Sequence, residues 1–162
     1  MPQIISLLLE NKPGALMRVT GLLTQRGYNI ESLVVSPDVA DGEFSRMSIT
    51  CSGDPDTLEQ IIKQCTKLID VVHAIDHTGQ AIIETEIALL KVSCPLNRRT
   101  EILQIAEQYN GKIVDYGTDS LIVRVYGASD KLDAFIALMR QFQITELVRS
   151  GKILMARGTD TT

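Results

Sequence analysis

The two halves of the chain carry the same order of predicted secondary structure, and this repeat restricts the possible folds more than any other feature. In the first half, a strand is followed by an amphipathic helix, two strands, a second helix and a fourth strand. Their predicted positions are Gln3–Leu9, Ala15–Arg26, Asn29–Ser36, Phe44–Cys51, a helix beginning at Pro55 after an Asp54 N-cap, and Asp70–Asp76. The order β-α-β-β-α-β is typical of the ferredoxin-like arrangement, an antiparallel sheet with both helices on one face.

The second half repeats this order after a turn-rich segment near residues 77–83. The predicted elements are strand Glu84–Cys94, a helix opened by Asn97 and ended by Asn110 and Gly111, strands Lys112–Tyr116 and Ser120–Tyr126, a helix capped by Ser129, and a last strand from Ile144 towards Ile153. We therefore predict an α+β protein with two ferredoxin-like βαββαβ domains, 1–77 and 78–162.

The first predicted helix has one apolar side. Leu16, Val19, Leu22 and Leu23 recur at helical spacing, which predicts that this side faces the core. Gly27 follows in a position that favours a positive φ and ends the helix.

The composition argues against several classes of function. With 44% hydrophobic and 22% charged residues, the chain has the composition of a globular protein. Its net charge of -4 gives no general attraction to nucleic acid or to anionic membranes. Half of the chain, about 80 residues, is near the lower size at which a core suffices alone, so we expect association with a partner.

Three cysteines, Cys51, Cys65 and Cys94, lie far apart in apolar runs. This pattern is typical of buried reduced thiols and argues against a disulfide framework. The sequence has no apolar run long enough to span a bilayer and no recognisable secretory signal at its start. We predict a soluble cytoplasmic protein.

Motifs that carry catalysis or bind cofactors are scarce. The segment "HAIDH" supplies His73, Asp76 and His77, but this spacing on a strand does not gather metal ligands, and we interpret them as polar residues leaving a sheet edge. The sequence has neither a glycine-rich phosphate loop nor a nucleophile elbow. We predict no catalytic residue, no metal site and no cofactor in this chain. A small enzyme that uses His73 and His77 remains as an alternative.

Arg98 and Arg99 occupy the predicted first turn of the third helix. Cations at this end oppose the helix dipole, so the pair is either solvated or grips an acidic partner surface. We interpret both side chains as solvated, because surface charges usually contribute little.

The segment "ENKPGAL" at the start of the first helix has the features of a small anion site. The first amides of a helix lack intrahelical acceptors, and Gly14 lets a ligand approach them. Asn11 adds a carbonyl acceptor and amide donors, which suits a free amino acid. The alternative is a simple turn into the helix, with Asn11 as a cap and Asn29 as a turn residue.

A longer stretch favours the first of these interpretations. The run "LLLENKPGALMRVTGLLTQRGYNIESLVV", with "SRMSI" and "LEQIIKQCTKLIDVV", resembles the amino-acid-sensing ACT domain of the small regulatory subunit of acetolactate synthase, or acetohydroxyacid synthase. The second half, including "KLDAF" and "ELVRSG", is similar to the C-terminal domain of that subunit. A stand-alone ACT-type regulator of another enzyme or of a transcription factor is the alternative.

The resemblance implies a protein without catalysis of its own in valine, leucine and isoleucine biosynthesis. Such a subunit binds and activates the catalytic subunit and makes it sensitive to feedback inhibition by valine. Thiamine diphosphate, FAD and Mg are then expected in the catalytic partner.

The resemblance also implies a homodimer formed through the ACT domains, with valine bound between them. The helix-start loop of one copy and the beginning of the second strand of the other would contact the effector. The residues that match these positions are Asn11, Gly14, Ala15 and Leu16 on one side, and Asn29 and Ile30 on the other. Lys12 either attracts the ligand carboxylate or points to water.

Overall fold

The structure is a computed structural model that describes residues 2–39 and 42–162. It divides into two compact units. The first extends to Ile83 and also includes Gly151–Thr162, and the second is Glu84–Ser150. None of the helices in the described ranges combines the length and hydropathy needed to cross a membrane.

The first unit has the predicted ferredoxin-like order. Its elements are β1 Gln3–Glu10, α1 Ala15–Gln25, β2 Asn29–Pro37, β3 Phe44–Ser52, α2 Pro55–Cys65 and β4 Val71–Asp76. The strands form an antiparallel sheet in the order β2-β3-β1-β4, so β2 is an outer strand. The prediction of an α+β βαββαβ fold is confirmed for this unit.

The second unit repeats the order, but the strand that corresponds to the outer strand β2 is shorter. Its strands and helices are β5 Ile82–Ser93, a 3-10 turn Leu96–Arg98, α3 Arg99–Gln108, β6 Lys112–Tyr116, β7 Ser120–Gly127, α4 Ser129–Met139 and β8 Gln143–Arg149. The sheet order is β6-β7-β5-β8, again with antiparallel neighbours. The predicted fold class is confirmed here as well.

The predicted domain limits, 1–77 and 78–162, differ from the observed division at the C-terminus. The segment from Gly151, which contains β9 Ile153–Ala156, packs within the first unit. Gly151 has φ +80°, and a Cβ there would lie 2.6 Å from the Ser32 Cβ. Arg46 donates a hydrogen bond to the Thr162 backbone oxygen. These contacts join distant parts of the chain, which a periodic pattern does not reveal.

The same segment corrects the last predicted strand. Instead of one strand from Ile144 towards Ile153, β8 ends at Arg149 and a separate β9 begins at Ile153. The left-handed backbone of Gly151 between them interrupts the extended run.

Two other differences concern helix caps. Asn97 does not open α3, because it lies inside the preceding 3-10 turn. Ser129 is the first residue of α4, and Ala128 occupies the N-cap position without a side-chain hydrogen bond. By contrast, the predicted Asp54 cap is confirmed, since its carboxylate accepts the Thr57 N–H at 3.2 Å.

Each sheet packs its helices over a separate apolar core. In α1 the buried residues are Ala15, Val19 and Leu23, whereas Leu16 is 38% exposed although the apolar pattern predicts it on the buried side. The helix is therefore rotated slightly from its predicted orientation. The two cores contain the following buried residues: Ile5, Leu7, Leu9, Ala15, Val19, Leu23, Tyr28, Met47, Ile49, Cys51, Leu58, Ile61, Cys65 and Val71 in the first, and Ala88, Leu90, Val92, Cys94, Ile102, Ala106, Leu121, Val123, Val125, Leu132, Phe135, Ile136, Met139 and Phe142 in the second.

Candidate functional site

The start of α1 presents uncapped backbone amides. Gly14 is its N-cap residue with φ +86°, and within the described residues no side chain caps the helix and no acidic residue lies in its first turn. The Ala15 N–H donates to the Lys12 carbonyl at 3.2 Å. The N–H groups of Leu16 and Met17 have no acceptor within the helix, because the ladder begins four residues after the cap. These amides can bind a carboxylate.

Asn11 and Lys12 lie in the loop that leads into this helix. The Asn11 N–H donates to the Glu43 carbonyl at 2.7 Å, and its side-chain amide donates to the Gly42 carbonyl at 3.4 Å. Lys12 Nζ forms an ion pair with Glu10, and this hydrogen bond raises the pKa of Lys12. The Lys12 side chain is 60% exposed, in agreement with the interpretation that it points to water, and its charge is paired with Glu10.

Arg18 is part of this end of α1, although the sequence analysis does not single it out. Its Nε donates to the Asp70 carboxylate at 2.6 Å, and its Nη2 contacts the same oxygen. A Cβ placed on Gly14 would lie 3.1 Å from the Arg18 Nη1. The spacing of four residues from Gly14 is a signal for this proximity, whereas the contact with Asp70 spans 52 positions and has no local signature.

Asn29 and Ile30 begin β2 directly after Tyr28, a residue that the core holds in place. Tyr28 before them is buried, and its hydroxyl donates to the Asp54 carbonyl. Asn29 is exposed, and the pairing of β2 with β3 shifts register after Ile30, as in a β-bulge. Bulges redirect neighbouring side chains. The side chains of Asn29 and Ile30 therefore do not follow the alternation of the rest of β2.

One chain does not bring the two groups of predicted site residues together. Glu10, just before Asn11, pairs with Phe44 at the beginning of β3, whereas Asn29 pairs with Ser52 at its end. At the usual rise per residue, these ends of β3 are about 25 Å apart. The structure gathers Asn11, Gly14, Ala15 and Leu16 at one end of the sheet and leaves Asn29 and Ile30 at the other.

Comparisons with known proteins cover both units. Residues 5–73 match the family model described as an AHAS small subunit-like ACT domain, and residues 85–158 match the model described as the small subunit of acetolactate synthase. The acetolactate synthase small subunit of Haemophilus influenzae is 46% identical over 159 residues, which cover 98% of this chain and 97% of that protein. The chain belongs to the acetolactate synthase small subunit family.

Other members of this family agree in length and fold. The acetolactate synthase isozyme 3 small subunit of Escherichia coli is 45% identical, with 98% of this chain and 97% of that protein covered. The crystal structure of the acetolactate synthase small subunit from Thermotoga maritima is 36% identical, covers 99% of each chain and has a TM-score of 0.87. The resemblance carried by "GALMRVTGLLTQRGYNIESL" is therefore confirmed, including the N-terminal ACT domain.

The second unit of this small subunit corrects the interpretation of Arg98 and Arg99. Arg98 is partly exposed and pairs with Glu101 at 3.4 Å, but Arg99 is only 5% exposed. The Arg99 guanidinium lies 4.5 Å from the Tyr116 ring centroid and donates to two backbone carbonyls, those of Gly117 and Thr118. The solvated interpretation is wrong for Arg99, because a loop distant in sequence covers it.

His77 is also more enclosed than predicted. It is 3% exposed, its Nε2 lies 2.6 Å from the Ser6 Oγ, and its Nδ1 lies 3.1 Å from the Gln80 Oε1. His77 does follow the outer strand β4, as predicted, but its side chain is enclosed by these contacts. Across residues 2–39 and 42–162, no group of three His, Cys, Asp or Glu side chains is arranged to hold a metal ion.

Proposed function

We propose that this chain is the regulatory subunit that binds and activates the acetolactate synthase catalytic subunit and confers feedback inhibition by valine. Membership of the small subunit family supports the catalytic partner. The valine site we propose lies between the ACT domains of two copies. The observation that carries it is the open start of α1, with the matching residues Asn29 and Ile30 about 25 Å away in the same chain.

This separation requires a second chain if both groups contact one small molecule. The ends of β3 are too far apart for valine to reach from the Gly14 amides to Asn29 of the same copy. A homodimer removes the difficulty, since a two-fold axis presents the same surface twice in opposite directions.

The position of β2 indicates how two copies would pair. It is an outer strand of the sheet, and its last residue, Pro37, pairs with Ser45 near the Asn11 end of β3. If two β2 strands pair antiparallel, the Asn29 end of one copy lies beside the Pro37 end of the other. Each α1 start then faces the beginning of the neighbouring β2, and two identical sites form.

The chemistry of the proposed site fits a branched amino acid. The Leu16 and Met17 N–H groups would donate hydrogen bonds to the carboxylate at the positive end of the helix dipole. The side-chain carbonyls of Asn11 and of the other copy's Asn29 are acceptors for the ammonium group. Leu16, 38% exposed, and the partly buried Ile30 offer apolar surface to the isopropyl group.

Valine can act on the enzyme only by preferring one arrangement of the two copies. A coupling free energy of about 1–3 kcal/mol is typical and would change the catalytic rate several-fold to about a hundredfold. The reaction itself would belong to the partner, with its thiamine diphosphate, FAD and Mg. This chain would contribute no catalytic residue.

The thiols support a reducing compartment, and we propose the cytoplasm. Cys51, Cys65 and Cys94 are all free and buried. Burial raises the pKa of Cys51 and of Cys65 to about 11, so both remain protonated thiols near neutral pH.

Reconstitution tests the proposed function. The purified chain is mixed with its cognate catalytic subunit, and acetolactate formation is measured with and without valine. We expect the chain to raise the rate, and valine to lower the rate only when the chain is present.

Two results would contradict this proposal. A cognate catalytic subunit whose rate and valine response are unchanged by the chain would exclude the regulatory role. Co-purification with an unrelated enzyme or transcription factor, together with valine binding, would favour the stand-alone ACT regulator.

A further inference from the structure

We propose that Arg18 is an additional effector-binding residue, whose guanidinium binds the carboxylate of the amino acid together with the first amides of α1. This inference rests on the proposed function, because it adds a contact to the same site. It also predicts which chemical group of the ligand the site requires, namely a free carboxylate.

The first argument is position. Side chains on a helix lean towards its N-terminus, so a residue four positions after the cap lies beside the cap. Here a Cβ on Gly14 would be 3.1 Å from the Arg18 Nη1, which places this nitrogen at the uncapped end of α1. The Arg18 side chain is 49% exposed and is therefore within reach of a ligand.

The second argument is orientation. Asp70 binds the guanidinium through Nε at 2.6 Å and through Nη2, and these two bonds leave Nη1 on the Gly14 side. The Asp70 side chain is only 12% exposed, and its backbone carbonyl accepts the Glu10 N–H at 2.7 Å. Asp70 is thus fixed to the end of β1, and it holds Arg18 in one orientation before a ligand arrives.

The third argument is charge. Around the start of α1, Lys12 pairs with Glu10 and Arg18 pairs with Asp70. The charges of these four side chains therefore sum to zero. A dianion would lack compensation there, whereas a zwitterion suits a balanced site. Arg18 differs from Lys12 in that the planar guanidinium can bind a carboxylate while it keeps its own acidic partner.

The test compares valine with valinamide, which has the same side chain and ammonium group but no carboxylate. Binding of both ligands to the full chain is measured by titration calorimetry, with ligand-observed NMR for millimolar affinities. In Arg18→Gln we expect valine affinity to fall about 10- to 100-fold, the loss typical of a charge-assisted hydrogen bond, and valinamide affinity to stay within about twofold. Arg18→Lys should recover part of the valine affinity.

Arg140→Gln is the matched control, because it removes the same charge from an exposed arginine of the second unit. It should leave both affinities unchanged. An unaltered ratio of valine to valinamide affinity in Arg18→Gln, in a chain whose wild type binds valine, would overturn the Arg18 assignment alone. Equal losses for the two ligands would mean that Arg18 only maintains the fold. A wild-type chain that fails to bind valine would overturn the proposed function and this assignment together.

Discussion

The starts of α1 and α3 occupy equivalent places in the two units, yet one is open and the other is filled by the chain itself. At α1 the cap is Gly14 in a left-handed conformation, and the first turn carries no acidic residue. At α3 the chain passes through a 3-10 turn, and Arg99 is buried against Tyr116 and the carbonyls after β6. The same topology therefore leaves the backbone accessible at α1, where we propose the ligand site, and is closed by an arginine at α3.

The outer strands β2 and β6 of the two units also differ, and again the first unit is the more open one. β2 has nine residues and β6 has five, and each has one register shift against its neighbouring strand. Short edge strands are a common protection against pairing with other chains. Only the first unit thus combines an open helix start with a long outer strand, and we expect both to serve one interface.

The largest effect should come from a charge on β2. Val35 on β2 and Val114 on β6 are each 45% exposed, so they form a matched pair. Val35→Asp should raise the dimer dissociation constant roughly 100-fold or more, since an uncompensated charge at an interface costs several kcal/mol. Sedimentation equilibrium measures this constant. Val114→Asp should leave it unchanged, and equal dissociation of both variants would remove the distinction between the two edges.

A smaller effect is expected at the helix start. Gly14→Asp places a negative charge beside the effector carboxylate, and valine affinity measured by calorimetry should fall about 100-fold. Gly79→Asp is the control, because Gly79 has φ +75°, close to the +86° of Gly14, and open space around it. Both variants should lose about 1–2 kcal/mol of stability from the left-handed backbone. Equal valine affinities in the two variants would place the effector elsewhere.

The sequence predicted much of the fold because local patterns determine the elements. The spacing of apolar residues gave both βαββαβ orders, Asp54 was identified as a cap, and Gly27, with φ +77°, ends α1 as expected. These features depend on neighbours within four residues, so they can be read without knowledge of the sheet register.

The errors concern contacts between distant segments. Arg99 is buried by residues 17 to 19 positions further along, and Gly151 returns to Ser32 of the first unit. The Arg18–Asp70 pair spans 52 positions. The spacing of apolar residues predicts which side of a helix faces the core. Which polar side chain finds a partner depends on how distant segments pack against each other.

The smallest expected effect is structural. Arg99→Ala removes the hydrogen bonds to the Gly117 and Thr118 carbonyls and the contact with Tyr116, so the melting temperature of the second unit should fall by roughly 5 °C. Arg140→Ala, at an exposed arginine of the same unit, should change it by about 1 °C or less. Differential scanning calorimetry measures both. Lowered valine affinity in Arg99→Ala would mean that the second unit contributes to effector binding.

The central claim is that two chains share each effector site, and mixing two inactive variants tests it most directly. Asn11→Ala and Asn29→Ala each damage every site of their own homodimer. In a mixed dimer, one site combines the intact Asn11 of one chain with the intact Asn29 of the other, so refolding the variants together should restore roughly a quarter of the wild-type valine sites at wild-type affinity. Calorimetry that detects no restored high-affinity sites in a confirmed mixed dimer would contradict the shared site.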